Sequence, residues 1–229
     1  MLDKRIREVD MNKKIVFGLI AAALVSLIAV GIYTMSAPNN VEVQKPGVAQ
    51  EQNTSNFVRF HSPSFGNKSS RVMVVEWFDP ECEACRAFHP VFAKIITDYS
   101  ARVHFVLRYM PFHSNSLYAA SVLEEARESG KFDEALSILL EKQPEWGSHH
   151  APRPDLIPAY LEKLGIPKEK LERAYVIQKH GAKIKQDEDD GLKVGVRGTP
   201  AFFVNGQQVS ELGEVSLRSA INRVLDQVK

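Results

Sequence analysis

The stretch VVEWFDPECEACRAFHP, residues 74–90, decides how this chain is read. Its first part belongs to an apolar, β-branched run, VMVVEWF (72–78), closed by Asp79-Pro80. Such a run suits a strand buried on both faces, and Glu76 is the one charge inside it. Beyond the break, Ala84, Phe88, Val91, Phe92, Ile95 and Ile96 recur at helical spacing. A helix is therefore expected to open near Cys82 and to kink at Pro90. VHFVLRYM (103–110) is a second strand, and the three segments make a β-α-β unit.

Cys82 and Cys85 are the only cysteines in 229 residues. A disulfide between them closes too small a ring to constrain the unfolded chain, so the pair suits redox chemistry or metal binding better than a structural staple. At a helix start, outward N–H groups and the positive end of the dipole stabilise a thiolate. Cys82, nearer the helix end, is the expected attacking sulfur, and Cys85 the resolving one. Glu76, if turned inward, has its pKa raised by apolar surroundings and can exchange a proton with Cys85. The opposite strand register turns it to solvent, and its position does not choose between the two.

Working outward, Phe57–Phe60 reads as a short edge strand followed by the loop HSPSFGNKSS. Residues 114–192 change character to helix and loop. SNSLYAASVLEEARESG ends at Gly130, FDEALSILLEK follows, Asp155 can cap DLIPAYLEKLG with Gly165 as its stop, and Pro167 can open the next helix. Strands then return: AFFV (201–204), the turn Asn205-Gly206 and QQVS (207–210) form a hairpin, and residues 214–228 a closing helix. Pro200 should sit at the start of its strand. An X-Pro bond there can be cis, although the residues alone favour an ordinary trans turn.

Toward the N-terminus, no charge interrupts IVFGLIAAALVSLIAVGIY, from Ile15 to Tyr33. Its length approaches the roughly 20 residues that cross a bilayer as a helix and exceeds a signal-peptide core. We expect residues 1–14 in the cytoplasm, a signal-anchor at 15–35 and a flexible linker at 36–56 rich in Gln, Asn, Val and Pro. A cleaved signal, with Met11 as the true start, is the rival, and cleavage would release the domain. The anchor places a single-pass protein in the inner membrane with residues 57–229 on the periplasmic or extracytoplasmic side. The composition, 44% hydrophobic and 25% charged, is that of a globular chain. A net charge of +1 gives no footprint for nucleic acid.

Together, VVEWFDPECEACRAFHP, the helical segment and GVRGTPAFFVNG (195–206) resemble the DsbA-like branch of the thioredoxin superfamily, over Phe57 to the C-terminus. The resemblance implies an α/β thioredoxin fold with an inserted helical subdomain at about 114–192. It implies that Cys82 is the surface nucleophile, Cys85 its buried partner and Glu76 the buried acid. It makes Pro200 a cis-proline facing the disulfide and Thr199 the residue whose backbone binds substrate as an added strand. The activity implied is thiol–disulfide exchange with cysteines of exported proteins, as a dithiol oxidase by preference and an isomerase or reductase otherwise. A membrane or periplasmic partner would reset the redox-active disulfide. No other cofactor is implied, and no phosphate-cradling glycine loop is present. Many relatives carry Pro-His between the cysteines, whereas Glu83-Ala84 stand here. A glutamate near the sulfur opposes the thiolate, so Glu83 and Ala84 are expected to tune the pair toward a weaker oxidant than the strongest oxidases.

A metal site built from Cys82, Cys85 and His89 is the alternative of another class; it suits Zn or Cu(I) but lacks a fourth ligand. His149-His150 read as a loop pair, and His104 and His113 carry no spacing signal. A cysteine protease would need a histidine base near its nucleophile, and a resolving cysteine three residues on argues against one. A redox-inert interaction module would give the cysteine pair no purpose.

Overall fold

A computed structural model describes residues 56–228. The expected signal-anchor and nearly all of the linker lie outside the described residues. Within them, no helix is long and apolar enough to cross a membrane.

The strand-helix-strand unit centred on residues 74–90 forms β2 (Met73–Phe78), α1 (Glu83–Tyr99) and β3 (His104–Tyr109). β2 and β3 run parallel, with Glu76 opposite Leu107 and Phe78 opposite Tyr109. β4 (Ala201–Val204) pairs antiparallel to β2, with Glu76 opposite Phe202, and β5 (Gln207–Gln208) pairs antiparallel to β4. β1 (Ser64–Gly66) lies antiparallel to β3, giving the order β1-β3-β2-β4-β5. The turn between β4 and β5 has positive φ at Asn205 (46°) and Gly206 (81°), the backbone an Asn-Gly hairpin requires.

The edge strand is displaced from its expected position at Phe57–Phe60. Those residues lie beside the sheet instead: the Phe57 ring stands edge-on to Trp77 at 5.5 Å and tilts against Phe203 at 5.2 Å. Arg59 reaches Asp190 at 2.7 Å. Side-chain anchoring wins there, and the free edge of β3 goes to Ser64–Gly66, inside the stretch expected to be loop.

Between β3 and β4 run α2 (Ser116–Glu128), α3 (Phe132–Trp146) and α5 (Arg173–Lys193), with shorter turns between them. α3 continues past Lys142 and through Pro144 to Trp146. The single helix expected over 155–165 breaks into a 3-10 turn (Pro154–Leu156), the one-turn α4 (Ile157–Tyr160) and a second 3-10 turn (Glu162–Leu164). Pro158 lacks the N–H that a continuous helix needs. Asp155 lies within the first turn and pairs with Arg153 at 2.9 Å rather than capping. Gly165 does stop the segment, at φ 71°. Pro167 opens a 3-10 turn (Lys168–Leu171) rather than the long helix, which begins at Arg173. α6 (Glu214–Gln227) closes the chain.

The alternation of β2 and β3 assigns their side chains to two faces. Val74 and Phe105 pack with Phe92 and Ile95 of α1 and with Leu217 and Ile221 of α6. On the other face, Val75, Trp77, Val106 and Met110 pack with Phe57 and Phe203. α5 presses on this second face at Gly191, where an added Cβ would lie 2.5 Å from Trp77 Nε1 and 2.9 Å from Met110 Sδ. Arg108, wholly buried, closes that face with hydrogen bonds to Asp187 and Asp190 of α5, each at 2.8 Å. The helical segment packs Leu123, Leu139, Trp146, Ile157 and Ile184 into one core with Phe78, Cys85, Leu107 and Tyr109.

Candidate active site

Cys82 is the N-cap residue of α1, and Cys85 lies in its first turn. Both are free thiols. Cys82 keeps 8% of its surface exposed and Cys85 none. The helix therefore presents one sulfur outward and turns the other into the core, as i and i+3 positions around a helix start allow. The Cys82 thiol is pulled down to about 5. The largest cause is the hydrogen bond from Cys85. Burial opposes it, and the Thr199 side chain and the N–H groups of Cys85 and Ala84 reinforce it. Cys85 moves the other way, well above the ordinary thiol range, through burial, its bond to Cys82 and the field of Glu76.

Glu76 occupies the face of β2 that it shares with Val74 and Phe78, toward α1, and is 3% exposed. The buried register therefore holds, not the solvent-facing one. Burial alone pushes its carboxyl up to about 8, and it has no ion-pair partner among the described residues. The Thr199-Pro200 peptide bond is cis, where the residues by themselves favoured trans. The Thr199 carbonyl accepts a hydrogen bond from the Cys82 thiol at 3.3 Å. Five of the expected residues, Glu76, Cys82, Cys85, Thr199 and Pro200, thus fall in one place. Glu83 and Ala84, between the cysteines, are exposed.

The loop leading into α1 is held by groups that sequence reasoning passed over. Asp79, fully buried, accepts through Oδ1 from the Glu81 N–H at 2.9 Å and from the Ser116 hydroxyl. Its Oδ2 accepts from the Phe112 N–H at 2.9 Å and bonds His113 Nδ1 at 2.7 Å. Its own N–H donates to Cys85 Sγ at 3.5 Å. Glu81, also buried, accepts from the Asn115 backbone N–H at 2.6 Å and from its amide at 2.9 Å. Gln143 of α3 donates to the carbonyls of Pro80 at 2.8 Å and Cys82 at 3.0 Å, while Arg86 steadies the Gln143 oxygen at 2.9 Å. The helical segment thereby grips the loop carrying the cysteines. In sequence, the only signal was three acids, Asp79, Glu81 and Glu83, around one cysteine.

Of the histidines, two border the site. His113 and His149 meet with ring centroids 5.9 Å apart, and His149 Nε2 lies 3.9 Å from Glu83. The pair His149-His150 is thus an exposed loop pair of which one member borders the site. His104 lies at the far end of β3, opposite Met73. His89 is half-buried, with its pKa lowered by burial. It does not join Cys82 and Cys85 in a ligand cluster: among the described residues, the single group of three metal-capable side chains is Glu125, Glu128 and His180. There Lys179 already bonds both carboxylates, at 2.6 and 2.7 Å.

Residues 60–223 match the family described as Thioredoxin. A Rickettsia prowazekii protein named as a protein-disulfide oxidoreductase is 28% identical over 165 residues, covering 70% of this chain and 60% of that protein. A stretch of the Na(+)/H(+) antiporter NhaA 3 of Salinispora tropica is 34% identical over 147 residues, covering 62% of this chain and 21% of the antiporter. The chain thus spans about a fifth of one relative and three fifths of the other. Among solved structures, oxidised BdbD from Bacillus subtilis superposes with a TM-score of 0.65 at 25% identity, over 72% of this chain and 94% of that one.

Proposed function

The chain belongs to the thioredoxin family, in its DsbA-like branch, and from that premise we propose that it is a thiol–disulfide oxidoreductase acting on cysteines of exported proteins. The observation that carries the reading is the opposite displacement of two thiols one helical turn apart, Cys82 down to about 5 and Cys85 far up. The thiolate is the reactive species and the better leaving group, so the asymmetry gives the two sulfurs different work.

In the oxidising direction, a substrate thiolate attacks Cys82 Sγ of the Cys82–Cys85 disulfide. That bond breaks, its electron pair goes to the Cys85 sulfur, and Glu76 gives Cys85 a proton. A second substrate thiolate then attacks the substrate sulfur of the mixed disulfide and expels Cys82 as a thiolate. The substrate ends as a disulfide, the protein as a dithiol, and a membrane or periplasmic partner takes the two electrons. Glu76 fits the proton role because a carboxyl titrating at about 8 is largely protonated near neutral pH yet can lose its proton. Thr199 and Pro200 border Cys82 where a substrate strand would pair. The Cys82 value lies between the roughly 3.5 of a strong oxidase and the roughly 7 of thioredoxin, which favours the oxidase direction. Export and a signal-anchor at 15–35 rest on the apolar N-terminal run.

The deciding experiment is the reduction potential of the Cys82–Cys85 pair against glutathione. A value between about −120 and −200 mV supports an oxidase or isomerase. A value near about −270 mV or below reverses the direction and makes the protein a reductant.

A further inference from the structure

One group beside the dithiol has no part in the mechanism above. His113 comes from the loop between β3 and α2, 34 residues from the Asp79 that it bonds. Its ring is half-buried and its Nδ1 lies 2.7 Å from Asp79 Oδ2. Asp79 is fully buried and itself fixed by the Glu81 N–H, the Phe112 N–H and the Ser116 hydroxyl. A ring nitrogen facing a carboxylate is the proton-bearing one. Nδ1 therefore donates, and Nε2 is the atom that gains or loses a proton.

Asp79 also touches the redox pair, through its backbone N–H on Cys85 Sγ, so one residue ties the imidazole and the buried sulfur to the same loop. The charged and titratable neighbours of His113 are Asp79 and Glu81 from the loop before α1, Cys82 at the start of α1, and His149 from the loop after α3. Glu83 lies behind His149, and Arg173 of α5 is bound to Asn115 at 2.8 Å, two residues along. Burial lowers the His113 pKa. The hydrogen bond to Asp79 and the fields of Asp79, Cys82 and Glu81 outweigh it and leave it raised.

We propose that His113, aimed by Asp79, whose carbonyl accepts from the Cys82 N–H at 3.1 Å, is a positioning residue that holds a titratable positive charge on the loop bonded to the redox pair and makes the dithiol's redox equilibrium depend on pH across the imidazole range. The inference rests on Cys82 and Cys85 being the redox pair. Reduction by two glutathione thiols breaks the Cys82–Cys85 bond and forms oxidised glutathione. Of the two thiol protons, one stays on Cys85 and the other is released as Cys82 remains a thiolate. Where His113 is neutral in the oxidised protein, the new thiolate draws that second proton onto Nε2. The imidazolium then stabilises the reduced state and makes the protein more oxidising.

The test compares the full chain with His113→Gln, measuring the glutathione equilibrium constant and the thiolate absorbance of Cys82 from about pH 6 to about pH 9. The variant is expected to shift the constant about tenfold toward the disulfide at the acid end, a change of roughly 30 mV. The two curves should converge at the alkaline end. Curves that coincide throughout, or that differ equally at both ends, overturn the proposal. Should the variant fail to fold, the His113 ring of the unaltered protein is titrated by NMR in both redox states. A higher pKa in the reduced state supports the inference, and equal values overturn it. A full chain that exchanges nothing with glutathione would instead sink the dithiol reading itself.

Discussion

Glu76 and Arg108 stand on neighbouring strands, one facing α1 and the cysteines, the other facing α5, and both are buried, at 3% and 0% exposure. Arg108 is surrounded by compensation. It bonds Asp187 and Asp190 at 2.8 Å each and the Asn56 carbonyl at 2.7 Å. Arg59 adds a second guanidinium on Asp190, and His61 lies 2.9 Å from Asp187. Burial pushes the Asp190 carboxyl up, but the hydrogen bonds of Arg59 and Arg108 outweigh it and leave it lowered. Glu76 has only apolar burial around it and goes up to about 8. A compensated buried charge locks two elements together, here β3 to α5. An uncompensated one becomes a group that gives and takes protons near neutral pH.

The largest effect should fall on the uncompensated side. Cys82→Ser is expected to abolish exchange with a model dithiol, and Cys85→Ser to leave mixed disulfides visible on a non-reducing gel. Retained turnover in Cys82→Ser would end the comparison. Next comes the pH dependence of stability. Glu76 is raised in the folded state, so its contribution is fully present below the unfolded value of 4.5 and is lost as pH rises through about 8. At about 1.4 kcal/mol per pH unit, denaturant unfolding should show a loss of roughly 3–6 kcal/mol across that window. Glu76→Gln should flatten this slope and slow exchange by about tenfold or more.

On the compensated side, Arg108→Ala leaves two carboxylates buried without their shared cation. Denaturant titration is expected to register a loss of about 3–5 kcal/mol, with the glutathione equilibrium constant of the surviving folded protein unchanged. A shifted constant would mean that the two regions are not separable. The smallest effect is steric. Gly191→Ala pushes a methyl into Trp77 and Met110 and should cost about 1–3 kcal/mol, again without moving the redox equilibrium.

The sequence carries the sheet and the cysteine helix legibly because both are local patterns. Val72 to Phe78 is an apolar run with Glu76 as its one charge, and the stripe from Ala84 to Ile96 has one period. Where competition is between side-chain anchors and a propensity, the reading slips. Phe57–Phe60 looks like a strand until Arg59 and Phe57 find Asp190 and Trp77. The stretch 155–165 looks like one helix until Pro158 divides it. In the site, Cys82, Cys85, Glu76, Thr199 and Pro200 can be picked out by spacing and resemblance. Asp79, His113 and Gln143 cannot, because each becomes meaningful only through a partner more than thirty residues away. No periodicity records such a contact.

The placement of Thr199 against Cys82, 117 positions apart in sequence, has a consequence for biosynthesis. A chain grows from its N-terminus, at about 5–20 residues per second. β2, α1 and β3 form a compact local unit, but β4 and the Thr199 carbonyl emerge only after the whole helical segment. For roughly 6–23 seconds at that rate, both thiols are translated while the wall that covers Cys82 does not yet exist. Contacts of such long sequence separation also form late in folding. The nascent thiols are thus open to other cysteines before the site that covers Cys82 is complete.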